Sequence, residues 1–314
     1  MFNWQGRVDS EDGDLGLRWH QKVQQKPDPK IACSTALVGF CCDLGVAANK
    51  GRVGAAQGPD SLRGALANLP WHWSANLNDY GNTQADDQLE YAQQRYAQQI
   101  KTALDQHDFV LGLGGGHEIA WGSYQGLASS LGSLEQAKIG IINFDAHFDL
   151  RRPAPASSSG TPFRQIAEHR AERQQAFHYA CLGISRAANT PALFDYANTS
   201  GTHYLLDKDC SLTALKNLLT PFLASIDQLY LTICLDAFPA AHAPGVSAPS
   251  ALGIDPKMVI AILHWIAQQR EHLDFTWKLA DIAELNPSFD IDNRTAKLAA
   301  RIAFELFDAV LPID

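Results

Sequence analysis

Apolar, β-rich runs at residues 31–42, 109–113, 139–144, 179–184, 229–235 and 275–282 alternate with longer segments of helical periodicity near 60–68, 90–105, 118–130, 210–224, 256–270 and 293–309. Such alternation predicts a parallel sheet wrapped by helices. The runs IGIINF (139–144) and LYLTICL (229–235) are apolar on both faces, which places them in the middle of that sheet. No internal repeat is evident. The Pro-, Ser- and Ala-rich stretch RPAPASSSG (152–160) predicts either a disordered insertion or a loop over a site. Residues 1–30 are expected to form an N-terminal extension and 31–314 a single domain.

With 314 residues, 46% of them hydrophobic, the chain can bury one large α/β core. The net charge of -9 arises from interspersed acids and bases, and the absence of a basic stripe argues against nucleic acid as a partner. An anionic ligand then needs locally placed arginines. The start, MFNWQGRVDS, lacks the basic and apolar regions of a signal peptide, and no stretch approaches the roughly eighteen apolar residues of a membrane span. A cytoplasmic location is expected. Cysteines 33, 41, 42, 181, 210 and 234 lack the spacing of a disulfide framework. Five are expected to be reduced core thiols, and Cys234 is set apart.

Polar chemistry concentrates just past strand ends, where open parallel sheets bind ligands. In LGLGGGHE (111–118), three glycines permit a tight turn before His117; alone, this is a common structural feature. Asp145-Ala-His147-Phe-Asp149 directly follows IGIINF, and in extended chain its two carboxylates and imidazole share one side. Solvated loop acids are the ordinary alternative, but charge beside a wholly apolar strand is expensive and a cation is its simplest compensation. Cys234 and Asp236 repeat the arrangement at the end of LYLTICLD. Six such groups exceed the needs of one four-coordinate zinc and suit two Mn²⁺-like ions, the usual device of metal-assisted hydrolysis.

These motifs resemble the arginase, agmatinase and formimidoylglutamase group of ureohydrolases: GGGHE (114–118), DAHFD (145–149), LDAFPAAHAPG (235–245) and DIAELNP (281–287). VGFCCDLGV (38–46) and GRVGAAQGPDSLR (51–63) fit as well, so the resemblance spans about 36–310. It implies a three-layer α/β/α fold with a central, mostly parallel sheet, two Mn²⁺ ions per subunit, a hydroxide attacking an amidine or guanidine carbon, and a closed homo-oligomer. Glu284 matches the acid that hydrogen-bonds the substrate nitrogen.

Departures from the family pattern narrow the substrate. Cys234 and Pro239 replace two aspartates of the arginase motif, a version similar to the bacterial formimidoylglutamases, although thiolate is a soft ligand for Mn²⁺. Ser159 stands where arginases carry a proton-shuttling histidine, leaving Asp149 or His169 to protonate the leaving nitrogen. Arg151 replaces an asparagine that contacts the amino-acid end of the substrate, and guanidinium suits carboxylates. Arg152, Arg164 and Arg186 are further candidates. The resemblance therefore implies hydrolysis of N-formimidoyl-L-glutamate to L-glutamate and formamide in histidine degradation. Another guanidino or amidino hydrolase, such as an agmatinase or guanidino-acid hydrolase, and a non-catalytic metal-binding relative are the alternatives.

Overall fold

A computed structural model describes residues 1–25, 34–132 and 136–311. Its strands are β1 (Val23–Gln24), β2 (Thr35–Cys41), β3 (Leu77–Gln84), β4 (Phe109–Leu113), β5 (Ile139–Phe144), β6 (His178–Ile184), β7 (His203–Leu206), β8 (Gln228–Cys234) and β9 (Thr276–Ala283). They form one nine-stranded sheet in the order β1-β3-β2-β4-β9-β8-β5-β6-β7, and its strand pairings are parallel. Every strand anticipated from hydropathy is present; residues 31–33 of the first lie outside the described residues. The pattern does not reveal β1, β3 and β7, which lie at or beside the sheet edges, where less apolar surface must be covered.

The helices are α1 (Trp19–Lys22), α2 (Leu44–Ala48), α3 (Gly58–Ala67), α4 (Leu89–Leu104), α5 (Ile119–Ser130), α6 (Pro162–Glu172), α7 (Pro191–Thr199), α8 (Leu212–Leu223), α9 (Pro256–Gln269) and α10 (Arg294–Val310). The period of the strands sorts them into two layers. Ile142, Phe144, Leu231 and Ile233 point into a core shared with α3, α8, α9 and α10. Ile139, Ile141, Tyr179 and Tyr230 point to the opposite core, shared with α4, α5, α6 and α7. The result is the expected α/β/α sandwich. Helix α6 escapes periodicity because its sequence, PFRQIAEHRAE, buries few apolar residues. Among the described residues, no helix is long and apolar enough to cross a membrane. Cys41, Cys42, Cys181, Cys210 and Cys234 are free thiols, while Cys33 lies outside the described residues.

Within the N-terminal stretch, Trp19 is fully buried, with its ring 5.0 Å from that of Phe307 and 5.1 Å from that of Trp71. Strand β3 is polar, LNDYGNTQ, yet Asp79 is buried. Its carboxylate accepts from Arg63 Nε at 2.9 Å and Nη2 at 2.7 Å, and from Trp4 Nε1 at 2.8 Å. Arg63 is itself wholly enclosed, so removing it strands a buried carboxylate. Arg63→Ala is expected to lower stability by about 3–5 kcal/mol, read by urea denaturation; a loss below about 1 kcal/mol would show that Asp79 finds other compensation.

Candidate active site

Sheet order sets β4, β9, β8 and β5 side by side at the centre, and each delivers polar chemistry at its C-terminal end, the usual ligand-binding edge of such sheets. After β4, the glycine turn is needed for space rather than for positive φ: a Cβ on Gly115 would lie 1.9 Å from Cys42 O. His117 N then donates to Glu284 Oε1 at 2.9 Å, and Glu284 N donates to Gly115 O at 2.8 Å. Glu284 itself, just past β9, has φ +71°, and Asp149 has φ +49°. Both are left-handed conformations uncommon for side-chain-bearing residues and enriched at functional sites.

Asp145, His147 and Asp149 converge, though through bends rather than the extended chain expected from their spacing. His147 N donates to Asp145 Oδ1 at 2.7 Å, and Asn143 Nδ2 holds the other oxygen at 3.1 Å. Cys234 ends β8, and Asp236 lies in the following 3-10 turn, Leu235–Ala237. His117, Asp145 and Cys234 form one triad and Asp145, His147 and Asp236 another, the ligand atoms within each lying within 4.8 Å of one another. Asp145 belongs to both. Asp149 joins through a 2.9 Å contact from Oδ2 to His117 Nδ1.

These residues fit metal ions. His117 Nδ1 is buried with Asp145 and Asp149 oxygens each 2.9 Å away, yet it makes no hydrogen bond. Carboxylate oxygens and a ring nitrogen converge there without the alignment of N–H donation, as ligands around a cation do. Burial disfavours charge on His147, but Asp236 and Asp145 outweigh it and push the imidazole up to about 12. Burial likewise opposes protonation of His117, and Asp145 and Asp149 raise it well above the ordinary value. Burial and the Asp145 charge push Asp149 and Asp236 upward, and burial with four neighbouring acids does the same to the Cys234 thiol. The cluster holds more negative charge than its own imidazoles neutralise comfortably.

The cluster opens into a cleft of 510 Å³ whose lining includes Lys50, Arg52, Arg151, Ser159 and Glu284. The stretch 152–160 is an ordered loop beside it: Ser157, Ser158 and Ser159 are buried, Ser159 N donates to Gly45 O at 3.0 Å, and Arg151 N to Gly160 O at 2.9 Å. Of the four arginines proposed from sequence, Arg151 lines this cleft. Arg152 and Arg164 line an adjoining cavity of 810 Å³ that shares Arg151; Arg164 pairs with Glu168 at 2.6 Å and lies 3.6 Å over the Tyr196 ring. Arg186 lines a separate depression with Asn198 and Tyr204. His169 contacts Tyr124 OH at 3.1 Å and lines another cavity.

Lys50 and Arg52 were missed by the sequence reading. Their signal was available, since KGRVGAAQGP (50–59) lies beyond the C-terminal end of β2, on the same sheet edge as the acid and histidine cluster. Arg52 is held in place: Nε donates to Ser247 O at 3.0 Å, and the guanidinium sits 4.1 Å over the Phe289 ring.

A family model described as the arginase family matches residues 33–308. A formimidoylglutamase of Hahella chejuensis is 50% identical over 96% of this chain and 93% of its own length. One from Ralstonia nicotianae is 48% identical over 98% and 95%, respectively. Among solved structures, formimidoylglutamase of Bacillus subtilis superposes with a TM-score of 0.81 at 21% identity, covering 95% of this chain and 93% of that one. Trypanosoma cruzi formiminoglutamase with Mn²⁺ gives 0.76 at 23% identity, covering 89% and 95%. At these identities the solved structures establish the shared fold.

Because Asp236 and Asp145 push the His147 imidazole up to about 12, it carries a proton in the metal-free protein at neutral pH, and loading with Mn²⁺ is expected to release at least that proton. Affinity should therefore rise with pH. Calorimetric titration in buffers of different protonation enthalpy measures the release, and buffer-independent heats would show that the imidazole enters neutral.

Proposed function

This chain belongs to the arginase family, and we propose that it hydrolyses N-formimidoyl-L-glutamate to L-glutamate and formamide. The carrying observation is the near-half identity to formimidoylglutamases across almost the whole chain. His117, Asp145, His147, Asp149, Cys234 and Asp236 would hold two divalent ions, and the predominance of carboxylate and imidazole donors favours Mn²⁺. When bound, such ions supply Lewis acidity and make hydroxide available near neutral pH.

The remaining tasks fall to side chains. An amidine is cationic at neutral pH, and Glu284 is poised to receive it. Its Oε1 is taken by His117 N–H, whereas Oε2 is buried without a partner and can accept an amidine N–H. Water adds to the formimino carbon, the bond from that carbon to the glutamate nitrogen breaks, and a proton originating in the water ends on the nitrogen. Asp149, which lines the cleft beside the cluster, is placed to carry that proton. Lys50, Arg52 and Arg151 bring positive charge to the cleft of a chain with net charge -9. Guanidinium and ammonium groups there match the two carboxylates of the substrate.

Purified protein with Mn²⁺ is expected to release glutamate and formamide from formimidoylglutamate; vigorous arginine or agmatine turnover with none on this substrate would overturn the assignment. Asp236→Ala should lose both bound metal and turnover, measured together by metal analysis and glutamate release. Arg151→Ala should raise KM by about tenfold to a hundredfold, the value of one or two hydrogen bonds to a charged group, with kcat much less affected. An unchanged KM would remove Arg151 from carboxylate binding.

A further inference from the structure

Behind the metal cluster, on the side away from the cleft, lies a buried polar network that the reaction itself does not use. Asp281 of β9 is wholly enclosed. Its Oδ2 accepts from Ser123 Oγ and from Tyr230 OH, each at 2.5 Å, while Oδ1 has no hydrogen-bond partner. Thr232 of β8 is its direct neighbour in register, is equally buried, and places Oγ1 3.0 Å from His117 Nε2. Space for this network is built into the sheet. Gly112 of β4 pairs with Asp281 on its other side, and a Cβ there would lie 2.4 Å from Tyr96 OH and 2.8 Å from Asp281 Cβ.

A hydroxyl beside an imidazole can donate or accept, and the two cases leave opposite groups at the far nitrogen. If Thr232 donated to Nε2 of a neutral ring, the proton would sit on Nδ1, facing Asp145 and Asp149. If Nε2–H donates to Thr232, the hydroxyl proton must turn to another acceptor and Nδ1 keeps its lone pair. Asp281, the register neighbour of Thr232, offers Oδ1 as an unpartnered acceptor. Burial pushes the Asp281 carboxyl upward on balance, against the two hydrogen bonds that Ser123 and Tyr230 donate to Oδ2.

We propose that Asp281 and Thr232 are positioning residues that fix His117 as the Nε2–H tautomer, and that they thereby set the affinity of the His117–Asp145–Cys234 triad for its ion. This rests on the reading that the cluster holds metal. Carboxylate–histidine–metal arrangements commonly contribute ten- to a hundredfold in affinity, and here a threonine hydroxyl is interposed.

The test is Mn²⁺ affinity measured by chelator competition on wild type, Thr232→Val, Thr232→Ser and Asp281→Asn. Thr232→Val, close to isosteric, should weaken one of two ions by about ten- to a hundredfold, and Asp281→Asn should weaken the same ion. Thr232→Ser should retain wild-type affinity. Thermal unfolding in EDTA separates this effect from a general loss of stability, since Thr232→Val should unfold earlier than wild type by the cost of unpartnered buried polar groups whereas its affinity loss should be confined to one of the two ions. Unchanged affinity in Thr232→Val, with two ions bound by wild type, would overturn the relay alone. Wild type that binds no Mn²⁺ would overturn both the relay and the metal-dependent function, whereas two bound ions without formimidoylglutamate turnover would overturn the substrate and leave the relay standing.

Discussion

The structure depends on the concentration of buried negative charge around Asp145. Asp145, Asp236 and Glu284 are buried and Asp149 half-buried where they meet past the ends of central strands, and moving charged groups out of water costs several kcal/mol each unless they are paired. That cost accounts for the surrounding construction. Glycine lets the chain after β4 run against β2 so that His117 arrives among the acids. Left-handed backbone at Asp149 and Glu284 turns these side chains at positions where regular structure has ended. A single carboxylate, Asp145, serves both triads, so neither half of the cluster is electrostatically independent.

Ligands and recognition groups have different origins. The side chains proposed to hold metal follow the central strands β4, β8 and β5, with Glu284 after β9 between them, whereas the cations come from connecting segments. Lys50 and Arg52 follow α2, and Arg151 precedes the 152–160 loop. These segments are tied to one another and to the scaffold: Asn286 Nδ2 donates to Arg52 O at 2.9 Å, and Asn49 Nδ2 to Ser159 Oγ at 3.2 Å. Binding groups on loops carried by a rigid sheet are the common division of labour in α/β proteins.

The contrast explains what could be read from sequence. The central strands were visible because both their faces are buried, and the polar groups just beyond them stood out against apolar runs. Even there, the i, i+2, i+4 spacing of Asp145, His147 and Asp149 indicated convergence for a different local reason, since bends rather than extended chain bring them together. Arginines were harder to place. Arg151 and Arg152 are adjacent, yet Arg151 lines the cleft and Arg152 the adjoining cavity, because loop path decides where a long side chain goes. Strand β3, beside the sheet edge, also escaped notice because Arg63 of the preceding helix neutralises its buried Asp79, a tertiary compensation that hydropathy does not encode.

Gly112 carries an implication for how this protein can change over generations. Replacing Asp281 by an apolar residue would leave the hydroxyls of Ser123 and Tyr230 without their acceptor, while filling position 112 first would collide with Tyr96 and Asp281. Neither order offers a comfortable first step. The polar seam between β4, β9 and β8 thus resists piecemeal replacement, its members tolerating change together rather than one at a time.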